Sequence, residues 1–185
     1  MRIVAGDWRG RRLAALGKGD PAAHLRPTTD RVREALFNML AGGRFGDPII
    51  DAVVLDLFAG TGALGLEALS RGAASATFVE TGRAGLRLLR DNIASLGCAD
   101  RAQVLAVDAT RLPAATEPAT LVFLDPPYGK GLGEAALAAA QARGWIAPAA
   151  LVVWEEATEQ AAPPGFTRLD ARRYGDSWIT ILRAE

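Results

Sequence analysis

From Ala52 onward the chain alternates short apolar runs with stretches in which apolar residues recur at helical spacing. Val53 to Leu57, Thr77 to Glu80, Val104 to Val107, Leu121 to Leu124 and Leu151 to Trp154 are each largely continuous in apolar character. Such runs suit strands buried on both faces, as in a parallel sheet covered by helices. Between them, Ala84 to Leu96 places Leu86, Leu89, Ile93 and Leu96 on one face, and Leu132 to Arg143 is a second helical stretch. Strand and helix in alternation specify an open α/β sheet wound by right-handed crossovers. Near the end the pattern changes. Phe166 to Tyr174 and Trp178 to Leu182 flank Gly175-Asp176-Ser177 with no room for a helix, which predicts an antiparallel hairpin at one edge of the sheet.

Residues 1–48 form a smaller N-terminal extension ahead of the 49–185 domain. Ile3 to Leu13 reads as two short strands around a glycine turn, and Gly17 to Pro21 as a loop. A helix is predicted after Pro27, capped by Thr28 or Thr29, with Asp30 in its first turn and Val32, Leu36, Met39 and Leu40 on one face; Gly42-Gly43 ends it. The formal charge of zero conceals a segregation. Residues 1–44 carry nine Lys/Arg against four Asp/Glu, leaving twelve against seventeen for the rest. A basic head on an acidic body fits an arm that reaches nucleic acid, and it also fits a merely solvated Arg-rich surface.

Composition narrows the classes. With 185 residues, half of them hydrophobic, the chain can bury one substantial core and is too short for two full-sized domains. The 37 alanines soften that core without making the chain disordered. The N-terminus has no signal-like apolar region, and no run approaches the roughly 18 residues of a membrane span, so a cytoplasmic protein is expected. Cys98 and His24 are the only cysteine and histidine. An intrachain disulfide is therefore impossible, and a zinc site of the usual Cys/His type lacks ligands; no metal is expected.

Two strand ends carry chemistry. The first runs into Asp56-Leu57-Phe58-Ala59-Gly60-Thr61-Gly62-Ala63-Leu64-Gly65, a glycine-rich turn where open α/β sheets bind nucleotide-like ligands. Glu80, 20 residues beyond Gly60, stands where a ribose-binding acid belongs. Asp56, just before the glycines, suits a cofactor bearing an ammonium group better than a pyrophosphate. The fourth strand ends in Asp125-Pro126-Pro127-Tyr128. Two prolines stiffen the backbone and remove two N–H donors, leaving carbonyls and the Asp125 carboxylate as acceptors. Acceptors that hold the hydrogens of an exocyclic nucleobase amine favour a pyramidal nitrogen whose lone pair can attack an electrophile. Tyr128 would stack on the base. The plainer alternative at each motif is a packing turn.

The combination of Asp56-x-Phe58-x-Gly60-x-Gly62 with Asp125-Pro126-Pro127-Tyr128 resembles the S-adenosylmethionine-dependent amino-methyltransferases of the Rossmann-like class I fold, with a mostly parallel seven-stranded sheet and helices on both faces. Arg26-Pro27-Thr28-Thr29-Asp30-Arg31 and the opening Arg2 to Arg11 stretch narrow the likeness to the bacterial RsmD family, over nearly the whole chain. That resemblance implies methylation of the N2 amine of a guanine in 16S ribosomal RNA, within a small ribosomal subunit or its assembly intermediate, without a membrane or an obligate protein partner. It implies that Asp56, Phe58, Gly60, Thr61 and Gly62 line the cofactor, that Glu80 accepts from its ribose, and that Asp108 and Ala109 meet its adenine. Asp125, Pro126 and Tyr128 would hold the guanine, and Arg9, Arg11, Arg12, Arg26, Thr28 and Arg31 would meet the RNA. The same motifs leave two other classes open. One is a DNA adenine-N6 methyltransferase, although 185 residues leave no room for a usual target-recognition region. The other is a dinucleotide-binding or catalytically silent RNA-binding module.

Overall fold

The computed structural model describes residues 1–15 and 30–185; Arg26, Thr28, His24 and the expected Thr28/Thr29 cap lie outside the described residues. Seven strands form one sheet: β1 (Val53–Leu57), β2 (Ser75–Val79), β3 (Ala102–Leu105), β4 (Ala119–Leu124), β5 (Ile146–Glu156), β6 (Phe166–Tyr174) and β7 (Ser177–Ala184). Their order is β3-β2-β1-β4-β5-β7-β6. The first five are parallel, and β7 pairs antiparallel with both β5 and β6. The expected α/β sheet with a terminal hairpin is thus observed, with the hairpin's second strand inserted inside its first.

Among the described residues four helices cover the sheet: α1 (Asp30–Ala41), α2 (Ala63–Ser70), α3 (Arg83–Leu96) and α4 (Leu132–Ala142). Alternate strand residues face opposite layers, as the period of two requires. Val54, Phe78, Leu121 and Phe123 pack with Phe37, Leu66 and Leu89 from the first three helices. Leu55, Leu57, Val122 and Trp154 pack with Ala136, Leu137 and Ala140 of α4. Helices therefore lie on both faces. No helix joins β3 to β4; Ala109 and Leu112 of that connection fill the α4 layer instead. Strand β5 begins five residues before the expected Leu151, because its register against β4 shifts around Ala149, which takes a left-handed φ of 61°. A local apolar run cannot show a ladder that continues across such an irregularity.

The N-terminal residues show one antiparallel bridge, Arg2 with Arg12, rather than two regular strands. They share the main core, with Ile3 and Leu13 buried. Two backbone N–H groups, of Val4 and Ala5, donate to the buried Glu67 carboxylate of α2 at 2.8 and 3.0 Å. Glu67 is also paired with Arg33 at 3.5 Å and Arg71 at 2.8 Å. Arg33, counted above with the basic arm, is fully buried, so part of that arm's charge is internal. Gly6 sits where this segment crosses α2: its φ is +80°, and a Cβ would fall 1.7 Å from the Ser70 carbonyl oxygen. Gly6→Ala should therefore cost about 2–4 kcal/mol through strain and overlap, read as a lowered denaturation midpoint at constant m-value. Among the described residues no helix is long and apolar enough to cross a membrane.

Candidate active site

Each of the five parallel strands delivers an acid at or shortly beyond its carboxyl end: Asp56, Glu80, Asp108, Asp125, and Glu155 with Glu156. Strand β1 pairs with β2 on one side and β4 on the other, so the winding of the sheet reverses beside Asp56. Ligands of open α/β sheets bind at that reversal. The acidic rim gives the crevice a negative character that favours a cation and disfavours phosphate.

The glycine turn is held by these acids. Asp56 is buried, and its Oδ2 accepts the Gly65 N–H at 2.9 Å, in the first turn of α2. Gly65 allows this approach; a Cβ there would meet the Phe78 ring at 2.4 Å and Asp56 Oδ2 at 3.1 Å. Burial pushes the Asp56 carboxyl up to about 7, with the Gly65 hydrogen bond opposing and the charge of Glu80 adding. Phe58 holds a left-handed φ of 61°, a rare state for a bulky residue that concentrates at functional sites. Glu80 Oε2 accepts the Gly60 N–H at 2.8 Å, while Oε1 accepts from Thr81 at 2.8 Å and Gly82 at 2.5 Å. Three of about four acceptor sites on that carboxylate are thus engaged by backbone. Asn92 of α3, buried, donates to the Thr61 carbonyl at 2.9 Å and exchanges hydrogen bonds with both Ala14 backbone groups. It ties the glycine turn to the N-terminal segment.

The Asp125-Pro126-Pro127-Tyr128 segment leaves β4 next to Asp56. Burial, then the neighbouring charges of Glu155, Asp56 and Glu156, raise the Asp125 carboxyl well above the usual range. The Tyr128 hydroxyl donates to Glu155 Oε1 at 3.0 Å and lies 2.9 Å from Ser177 Oγ. Burial raises the Tyr128 hydroxyl above its ordinary value. The Gly129 N–H donates to Glu156 Oε1 at 3.2 Å. Acids at the end of β5 therefore fix the loop that follows the motif.

The structure brings Asp56, Phe58, Gly60, Thr61, Gly62 and Glu80 together around one turn, with Asp125, Pro126 and Tyr128 in the segment that follows the adjoining strand β4. Asp108 caps its own turn: its exposed carboxylate accepts from the Thr110 N–H and hydroxyl, both at 2.8 Å, which lowers its pKa. Ala109 is buried beside it. Of the expected RNA contacts, Arg9, Arg12 and Arg31 are exposed, and the Arg11 guanidinium donates to the Ser95 carbonyl at 2.5 Å. Cys98 is a core side chain. Sequence reasoning missed Asn92, Glu155, Glu156 and Ser177. The strand-end acids Glu155 and Glu156 repeat the signal given by Asp56 and Asp125; Asn92 and Ser177 carry none.

The family described as Conserved hypothetical protein 95 matches residues 1–183. The chain is 44% identical over 163 residues to Ribosomal RNA small subunit methyltransferase D of Escherichia coli, covering 88% of this chain and 78% of that protein. It is 39% identical over 168 residues to the protein of the same name in Haemophilus influenzae, covering 88% and 81%. The solved structure of the yhhF protein of Escherichia coli superimposes with a TM-score of 0.82 at 40% identity, covering 100% of this chain and 98% of that one. With the strand order and rim described above, these likenesses place the chain in the Conserved hypothetical protein 95 family, to which it belongs alongside the small subunit methyltransferases D.

Proposed function

We propose that this protein transfers a methyl group from S-adenosylmethionine to the exocyclic N2 amine of a guanine in 16S ribosomal RNA of the small subunit. The observation that carries the proposal is the placing of Asp56 near the end of β1 and of Asp125 just beyond the end of the paired β4, where their charges interact at the reversal of the sheet, in a chain 44% identical to a ribosomal RNA methyltransferase. The residues fit this cofactor. A buried carboxylate that, among the described residues, accepts one hydrogen bond, from Gly65, suits an ammonium, and a rim of acids suits a molecule with cationic centres. The Phe58 to Gly62 backbone would face its methionyl part. Glu80 has one acceptor site for a ribose hydroxyl, and a second hydroxyl would displace a backbone N–H such as that of Gly82. Asp108, with its Oδ1 committed to Thr110, offers Oδ2 to an adenine amine beside Ala109.

S-adenosylmethionine supplies an electrophilic methyl group when bound. The chain's own part is to orient the amine: Asp125 and the Pro126 carbonyl accept its two hydrogens, and Tyr128, tethered through its hydroxyl, supports the base. The extension 1–48 serves as the RNA-contacting unit, through Arg9, Arg11, Arg12 and Arg31, with Arg26 and Thr28 in the same role.

The decisive experiment supplies labelled methyl donor and small ribosomal subunits lacking the modification, then digests the RNA and identifies the product by mass spectrometry. Label on N2-methylguanosine is expected. Label on adenine N6, or none, would overturn the proposal. By calorimetry, Glu80→Ala should weaken cofactor binding by about 1–3 kcal/mol, because a charged acceptor and the clamp on the glycine turn are lost together; unchanged affinity would remove Glu80 from the site.

A further inference from the structure

The acidic rim creates a difficulty for an RNA enzyme: the surface around the reactive centre repels phosphate. Grip on the RNA backbone must come from cations placed to one side. The basic arm supplies fewer of these than its charge suggests, since Arg2 pairs with Asp30, Arg44 with Asp170, and Arg33 is buried. Helix α3 supplies others. It starts three residues after Glu80, at the rim, and Arg83, Arg87 and Arg90 follow at i, i+4 and i+7, all exposed on the face opposite its buried Leu89, Asn92 and Leu96. Among the described residues, none of the three forms an ion pair.

Helix stability does not account for them. Arg83 stands in the first turn, where the helix dipole disfavours a cation, and the last turn, where a cation would help, has no basic residue. Like charges at i and i+4 repel. Asp91 follows Arg87 at i+4, the less favourable order, and is not paired with it. An exposed row of like charge with no ion pair among the described residues leaves its cations available to an anionic partner outside the chain. The N-terminal segment meets the far end of the same helix, where the Arg11 guanidinium donates to the Ser95 carbonyl in the last turn of α3.

Resting on the methyltransferase reading above, we infer that Arg83, Arg87 and Arg90, continued by Arg11, form a track for the sugar–phosphate backbone of the ribosomal RNA. The rise from Arg83 to Arg90 is about 10 Å, the length of about three phosphates at roughly 3.4 Å of axis each on one strand. The track begins beside the cofactor-binding acids and leads away from them, so it can anchor RNA that flanks the target nucleotide while the rim keeps phosphate out of the cofactor crevice.

The test measures binding of the full chain to unmodified small ribosomal subunits across a range of salt. The triple variant Arg83→Gln/Arg87→Gln/Arg90→Gln should flatten the log–log slope by about 2, at roughly 0.7 per lost single-strand phosphate. The corresponding triple Lys variant should keep the wild-type slope. Arg87→Gln/Arg90→Gln should leave calorimetric cofactor affinity unchanged, and its melting temperature should hold or rise as repulsion is relieved. An unchanged slope in the Gln triple overturns the track, as does loss of binding to anionic phosphatidylglycerol vesicles with the RNA slope intact. Methylation by the wild type separates the two proposals. A protein that methylates with an unaltered slope in the triple loses only the track, and one that shows the altered slope without methylating loses only the enzymatic reading.

Discussion

Asp125→Ala is expected to lower the single-turnover rate of methyl transfer by about 10²-fold or more, with little change in cofactor affinity. The carboxylate sits at the end of β4 among Glu155, Asp56 and Glu156, and no hydrogen bond to it is found among the described residues. Removing one acid from this group relieves repulsion. The variant should therefore fold as well as the wild type or better, which separates a role in the reaction from a structural one. Because burial and neighbouring acids raise the Asp125 pKa, it becomes the stronger, charged acceptor only after losing its proton, and the wild-type rate at saturating cofactor should fall as pH drops through that raised value. Asp125→Asn retains an acceptor oxygen that does not titrate. It should keep partial activity and lose this acid limb. A wild-type rate in Asp125→Ala, or an acid limb that persists in Asp125→Asn, would show that the amine is held by other groups.

The sheet was legible wherever a strand's signal is local. Val53–Leu57 and Phe166–Tyr174 have the bounds their residue patterns predict: the first is apolar but for Asp56, and the second is bracketed by Gly165 and Gly175 even though its register against β7 shifts between Arg168 and Asp170. The start of β5 was not, since its irregular part around Ala149 depends on a neighbour absent from the local sequence. The site divides the same way. Asp56, Glu80 and Asp125 stand beside glycines or prolines at strand ends and can be read in order along the chain. Asn92 sits in an ordinary amphipathic helix, and its tie between Thr61 and Ala14 exists only once three distant segments meet. Ser177 likewise gains its place beside Tyr128 from the insertion of β7 next to β5. Arg33 illustrates the converse: a cation in a basic segment reads as surface, and only the buried Glu67 facing it, with Asp30 at 2.9 Å, shows why it is internal.

The second large effect is on the cofactor side, and it is a proton. Below pH 7 the ligand-free protein holds Asp56 largely protonated, since burial outweighs the Gly65 hydrogen bond and raises the carboxyl from 3.8 to about 7. Linkage fixes the sign for stability: between those values the folded protein binds the proton and the unfolded chain does not. This group's contribution is thus greatest at acid pH and is lost as pH rises to about 7, by at most about 1.4 kcal/mol per unit. An ammonium brought against Asp56 favours the carboxylate instead. Binding of S-adenosylhomocysteine, which shares that ammonium and does not react, should accordingly release a proton at pH 6, and its affinity should rise about tenfold per pH unit up to about 7 and then level. Calorimetry at pH 6 in two buffers of different ionisation enthalpy reads the proton directly, and Asp56→Asn separates it from the titration of Asp125. The variant should bind more weakly and show no such release from this position. Equal observed enthalpies for the wild type in both buffers would mean that Asp56 stays protonated with the ligand bound, and the ammonium would then have to be held elsewhere.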